Sequence, residues 1–175
     1  MRIIVSDSSC LIDLRKASLL GPFLRLPYEI VIPDTLFHDE LLKFSEAEKT
    51  LLITGGLQVR ELPGEGVNRA QDLERGFPSL SIHDCFAFAL AEHLEDSILL
   101  SGDGKLRTIA KQHAIEVHGV LWVIEEMYKE TTTAVEALVA ALELFNENPA
   151  IFRLPRRELR ALLKQLSGDT DEPQE

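Results

Sequence analysis

Five short apolar runs, at 3–5, 29–33, 57–62, 97–100 and 114–117, alternate with stretches of helical periodicity. This alternation constrains the fold more than any other feature of the chain. Strands separated by helices pair as βαβ units, which gives a parallel sheet with helices packed on its faces. The sequence therefore predicts a three-layer α/β/α architecture with a central, mostly parallel sheet.

Local signals place the helices. Leu11, Leu14, Leu19, Leu20 and Phe23 share one face and predict a helix over 11–26. Pro33 suits the first turn of a helix running to 44. A helix over 46–53 stops at Gly55-Gly56. A polar helix is predicted over 67–75. Ser81 is an N-cap candidate with Asp84 in the capping-box position, and it opens the clearest helix, which runs to 94. Further helices are predicted over 105–113, 119–130, 131–145 and 156–166. The sheet unit is expected to span 1–127, with appended C-terminal helices over 128–166 and a disordered tail over 167–175.

A chain of 175 residues favours one such domain with a full core. No apolar run approaches the roughly 18 residues of a membrane span. The opening "MRIIVSDSS" lacks a leader's apolar segment and cleavage site, so a cytoplasmic location is expected. Two cysteines, Cys10 and Cys85, are too few for a disulfide framework and form no Cys-x-x-Cys pair. The formal net charge of −11 repels nucleic acid unless basic groups or a bound cation offset it locally.

In a parallel α/β sheet, function collects at the carboxyl ends of the strands. Asp7 follows the first strand there, and Asp103, in "SILLSGDGKLRTIA", follows the fourth. Asp-Gly between apolar runs would suit a hairpin. Helical spacing resumes at once, however, with Leu106, Ile109 and Ala110, which favours strand–loop–helix. The glycines flanking Asp103 are expected to let the backbone bend toward a ligand. Asp84 opens the central helix, and Asp39 and Glu40 lie in the helix after Pro33. Each acid also has a structural explanation as a cap, a turn residue or a solvated helical acid. Gathered together they would repel one another and hold protons, unless a hard divalent cation such as Mg²⁺ or Mn²⁺ relieved the charge.

The segments "IIVSDSSCLIDL", "VIPDTLFHDELL", "LSIHDCFAFALAEHL" and "ILLSGDGKLRTIAKQHAIEVHGVLWVIEEM" resemble, in order, the four motifs of PIN-domain proteins, including the VapC-like toxins of toxin–antitoxin pairs. The resemblance implies metal-dependent cleavage of single-stranded RNA, with Asp7, Glu40, Asp84 and Asp103 as catalytic acids. Asp7, Asp84 and Asp103 would hold Mg²⁺ or Mn²⁺. Ser8, or its neighbour Ser9, and Ser101 would orient carboxylates. Asp39 is the alternative second acid: it fits the spacing from Pro33, whereas Glu40 fits the "E-L" context. Helix geometry does not separate them, since neighbours point about 100° apart.

Lys105 and Arg107 lie near Asp103 and are candidates for contacting substrate phosphates. Arg153, Arg156, Arg157, Arg160 and Lys164 form a basic cluster that suits a solvated helix face or, functionally, a phosphate-contacting or partner-docking surface. The resemblance also implies an antitoxin partner, which would bring an arginine or lysine into the acidic pocket, and homodimerisation. Two other readings compete. One is a catalytically silent PIN-like binding module. The other is a haloacid-dehalogenase-like phosphatase, which would need an aspartate where Ser9 stands.

Overall fold

The computed structural model describes residues 1–170. Its strands are β1 (Ile3–Ser6), β2 (Glu29–Pro33), β3 (Gln58–Arg60), β4 (Ser97–Leu100) and β5 (Glu116–His118). The helices are α1 (Ser8–Lys16), α2 (Leu20–Leu24), α3 (Asp34–Asp39), α4 (Glu46–Thr54), α5 (Gly64–Gly76), α6 (Ile82–His93), α7 (Gly104–Gln112), α8 (Val120–Lys129), α9 (Val135–Glu147) and α10 (Arg156–Thr170).

The strands form one sheet in the order β3-β2-β1-β4-β5, and every neighbouring pair is parallel. Helices flank this sheet. On one side α6 packs against β1, β2 and β4, with α3, α5 and α7 around it. On the other, α1, α2 and α8 pack together, and α9 and α10 pack on each other and on α8. Covered on both faces, the strands are apolar almost throughout: Ile4, Val5, Val31, Ile32, Ile98, Leu99 and Leu100 are fully buried. No described helix is long and apolar enough to cross a membrane.

Strand order fixes where a site can form. From β1 the chain moves to β2 on one side, and later returns to β4 on the other. The carboxyl ends of β1 and β4 therefore flank the switch point, where outgoing connections diverge and leave a crevice. Their register brings Ser6 level with Leu100, and the Asp7 amide extends the pairing to the Leu100 carbonyl at 2.9 Å.

Four elements differ from the sequence-based expectation. The helix expected from residue 131 begins at Val135, because Thr131 takes a left-handed φ of 51° after α8. The helix over 11–26 is two helices. Ser18 takes a left-handed φ of 59°, and the Leu19 amide reaches back to the Leu14 carbonyl at 2.8 Å, which closes α1 and turns Leu19 and Leu20 into the core. The helix from Pro33 stops at Asp39 rather than 44, because Ser45 must be extended to form a complete capping box with Glu48 for α4. At the C-terminus, α10 continues as helix through Thr170, past residue 167 where a disordered tail was expected. The rest of that tail, 171–175, lies outside the described residues.

Candidate active site

Asp7 follows β1 directly and is the N-cap of α1. Its Oδ1 accepts from the Cys10 amide at 3.0 Å, and the Ser9 hydroxyl donates to its two oxygens at 2.9 and 2.8 Å. The free N–H groups and dipole of the helix favour a negative charge at this position. Asp7 is nevertheless only 4% exposed. Burial pushes its carboxyl above the ordinary value, against the hydrogen bonds from Cys10, Ser101 and Ser9, and the charge of Asp84 adds to the rise.

Asp103 repeats the arrangement one strand away. It is the N-cap of α7, and its Oδ1 accepts from the Leu106 amide at 2.8 Å. Ser101, fully buried, bears on both acids: its Oγ accepts from the Asp103 amide at 3.1 Å, and its side chain helps lower the Asp7 carboxyl. Neither glycine beside Asp103 takes a positive φ, and Gly102 itself lines the cavity described below.

Asp84 occupies the third position of α6 in a complete capping box. Its amide donates to Ser81 Oγ at 3.0 Å, and its Oδ2 accepts from the Ser81 amide at 3.1 Å. Glu40 closes α3 and accepts a 2.6 Å hydrogen bond from the Ser8 hydroxyl. Asp39 pairs instead with His83 Nε2 at 3.2 Å, while His83 Nδ1 stands 4.0 Å from Glu40. The structural and functional explanations of the acids are thus compatible. Asp7, Asp84 and Asp103 each cap a helix start, and all three line one cavity.

That cavity has a volume of about 320 Å³ and is lined by Asp7, Glu40, Asp84 and Asp103 together with Ser8 and Ser9. Asp39 is not among its lining residues. Lys105 and Arg107, two apart on α7, part company: Lys105 lines a shallow groove on the far side of Asp103, and Arg107 lines a second cavity beside the first. Within the basic cluster near the C-terminus, Arg153 alone lines the acidic cavity.

One lining acid was not singled out in the sequence, and one basic residue was not tied to the acids there. Asp13, half-buried on α1, is a fifth acid; burial and the charge of Asp7 raise its carboxyl from 3.8 to about 6, with Lys16 opposing. Its place between buried Leu11 and Leu14 was the only local signal. Arg153 comes from the α9–α10 connection, with Ile151 and Leu154 beside it. No sequence neighbour connects it to the acids. Among the described residues, no lysine or arginine forms an ion pair with any of the five acids.

The donor set suits a hard divalent cation. It is all oxygen, acidic, partly desolvated and held by hydroxyls behind it. As the side chains stand, no group of three or more His, Cys, Asp or Glu among the described residues is gathered closely enough to hold an ion.

A family model described as a PIN domain matches residues 3–168, a span that includes α9 and most of α10 as well as the sheet. A search of curated proteins found no match. PIN domains are commonly nucleases.

Proposed function

The chain belongs to the PIN-domain family, and from that premise we propose that it is a metal-dependent endoribonuclease acting on single-stranded RNA, in the manner of the toxin of a toxin–antitoxin pair. One observation carries the reading: Asp7, Glu40, Asp84 and Asp103 line a single cavity at the sheet's switch point with no lysine or arginine ion-pair partner among the described residues. Asp7, Asp84 and Asp103 would hold Mg²⁺ or Mn²⁺, with Glu40 in support. When bound, such an ion supplies positive charge that offsets the carboxylates and braces a phosphodiester undergoing attack by water.

The chain's own residues do the rest. Ser9 and the Cys10 amide fix the Asp7 carboxylate, and Ser8 fixes Glu40, so these acids are held in defined orientations. Asp7, Asp84 and Asp103 each stand at a helix start, where backbone N–H groups hold their carboxylates in place. Glu40 is the second acid in this reading, and His83, joined to Asp39, secures the end of α3 beneath it. An antitoxin and a second copy of the chain are the partners this role implies.

The competing reading is a silent binding module, and the open spacing of the acids favours it. Cleavage decides between them. Purified chain with Mn²⁺ should cut single-stranded RNA to 5′-phosphate and 3′-hydroxyl ends, and Asp7→Asn and Asp103→Asn should abolish this while remaining folded by circular dichroism. Absence of cleavage by wild type, or unchanged cleavage by both variants, would remove the nuclease proposal.

A further inference from the structure

The acidic cavity is not isolated. Asp13, Gly102, Arg153 and Leu154 also line the neighbouring cavity of about 210 Å³, so the two share a neck. Asp103 is likewise shared with the shallow groove that holds Lys105. A continuous path therefore crosses the carboxyl edge of the sheet, with the acids in its middle.

The second cavity differs in character. Arg107 and Arg153 both line it, and neither side chain has an ion-pair or hydrogen-bond partner among the described residues. By contrast Arg2, Arg15, Arg60, Arg69 and Arg75 are all paired with carboxylates. In a chain of net charge −11, two unpaired guanidinium groups on one cavity wall are conspicuous. Arg107 lies against the backbone at Gly119: a Cβ placed there would stand 3.2 Å from its Nη1. Trp122, stacked on His118 with ring centroids 4.4 Å apart, supplies a flat apolar wall. Asp13, Glu125 and Glu158 also line this cavity, so its two arginines leave room for one phosphate and its acids disfavour a second.

We propose that the second cavity is a nucleotide subsite of the same groove: Arg153 and Arg107 hold the phosphate adjacent to the scissile one, and the nucleoside attached to it rests against the His118–Trp122 wall. Arginine suits this task because its planar fork of donors matches phosphate oxygens. The proposal rests on the ribonuclease reading, in that the acids cut the next phosphodiester along the strand. It gives the C-terminal helices a role as well, since their connection delivers Arg153.

Fluorescence anisotropy of a labelled single-stranded RNA on the full chain, with Ca²⁺ present to offset the acids, tests the subsite. Cleavage of the same RNA in Mn²⁺ tests the ribonuclease reading separately. Arg107→Gln and Arg153→Gln should each weaken binding about tenfold, and the two together should flatten the salt dependence by about 0.7 in log–log slope, the one phosphate they share. Arg160→Gln, an exposed arginine lining neither cavity, serves as the control for general charge and should leave affinity unchanged. RNA binding that ignores both arginines, that weakens equally in the Arg160 variant, or that is absent in wild type overturns the subsite. Arginine-dependent binding without cleavage in Mn²⁺ retains the subsite and discards the nuclease reading. Cleavage with arginine-independent binding does the reverse.

Discussion

The two edges of the central sheet treat charge in opposite ways. At the amino edge, Arg2 precedes β1 and bonds to both Asp96, before β4, and Glu116, at the start of β5. Glu116 also pairs with His118, and its carboxyl is held below the ordinary value by Arg2 first and then His118. At the carboxyl edge, five acids meet without a lysine or arginine ion pair among the described residues, and Asp7 and Asp13 are held above the ordinary value. The same sheet thus carries a neutralised edge and an uncompensated one. Charge is left without a lysine or arginine partner where strand order opens a crevice, which is what the proposed cation site would need.

Substitutions at the uncompensated edge should break this contrast most sharply. Asp7→Asn and Asp103→Asn should lower cleavage of RNA by a factor on the order of 10³, read as single-turnover rate in Mn²⁺. Asparagine caps helices about as well as aspartate, so thermal denaturation should show little loss of stability. Removing the supports should do less. Ser9→Ala should weaken Mn²⁺ affinity or activity about 10- to 100-fold, because the Asp7 carboxylate then loses the hydroxyl that orients it.

Asp13 gives a pH test with a definite sign. Its folded-state value of about 6 exceeds the ordinary 3.8, so the folded chain binds the proton more tightly than the unfolded one. Stability from this group is complete below about pH 4 and is lost as pH rises through 6. Asp13→Asn should therefore raise metal-free stability at neutral pH by about 1–2 kcal/mol, less than the full shift because the half-buried carboxylate is screened. It should also flatten the stability profile between those pH values, followed by urea denaturation. At the neutralised edge, Arg2→Ala should cost no more than about 1 kcal/mol and leave cleavage untouched, since both pairs are largely exposed.

The sequence made some of this legible for clear physical reasons. Alternating strand and helix patterns are local, and an acid between an apolar run and a helical one stands at a strand end whatever the strand order; Asp7 and Asp103 were visible in this way. Asp84 was visible because a capping box is a local motif. The order β3-β2-β1-β4-β5, which makes the ends of β1 and β4 neighbours, depends on long-range pairing and left no local trace. Asp13 reads as an ordinary helical acid because its burial depends on distant packing. Arg153 reads as one member of a basic cluster, and only the path of the α9–α10 connection separates it from Arg156, Arg157 and Arg160. Lys105 and Arg107 look equivalent in sequence, yet two residues along a helix turn side chains to nearly opposite sides.

The most direct test of the central claim is calorimetric titration of Mn²⁺ into the wild-type chain and into Asp7→Asn at neutral pH. If the acids at the carboxyl edge are a cation site, wild type binds Mn²⁺ with a measurable heat and the variant loses that binding. Indistinguishable titrations, or no binding by wild type at millimolar Mn²⁺, would contradict it.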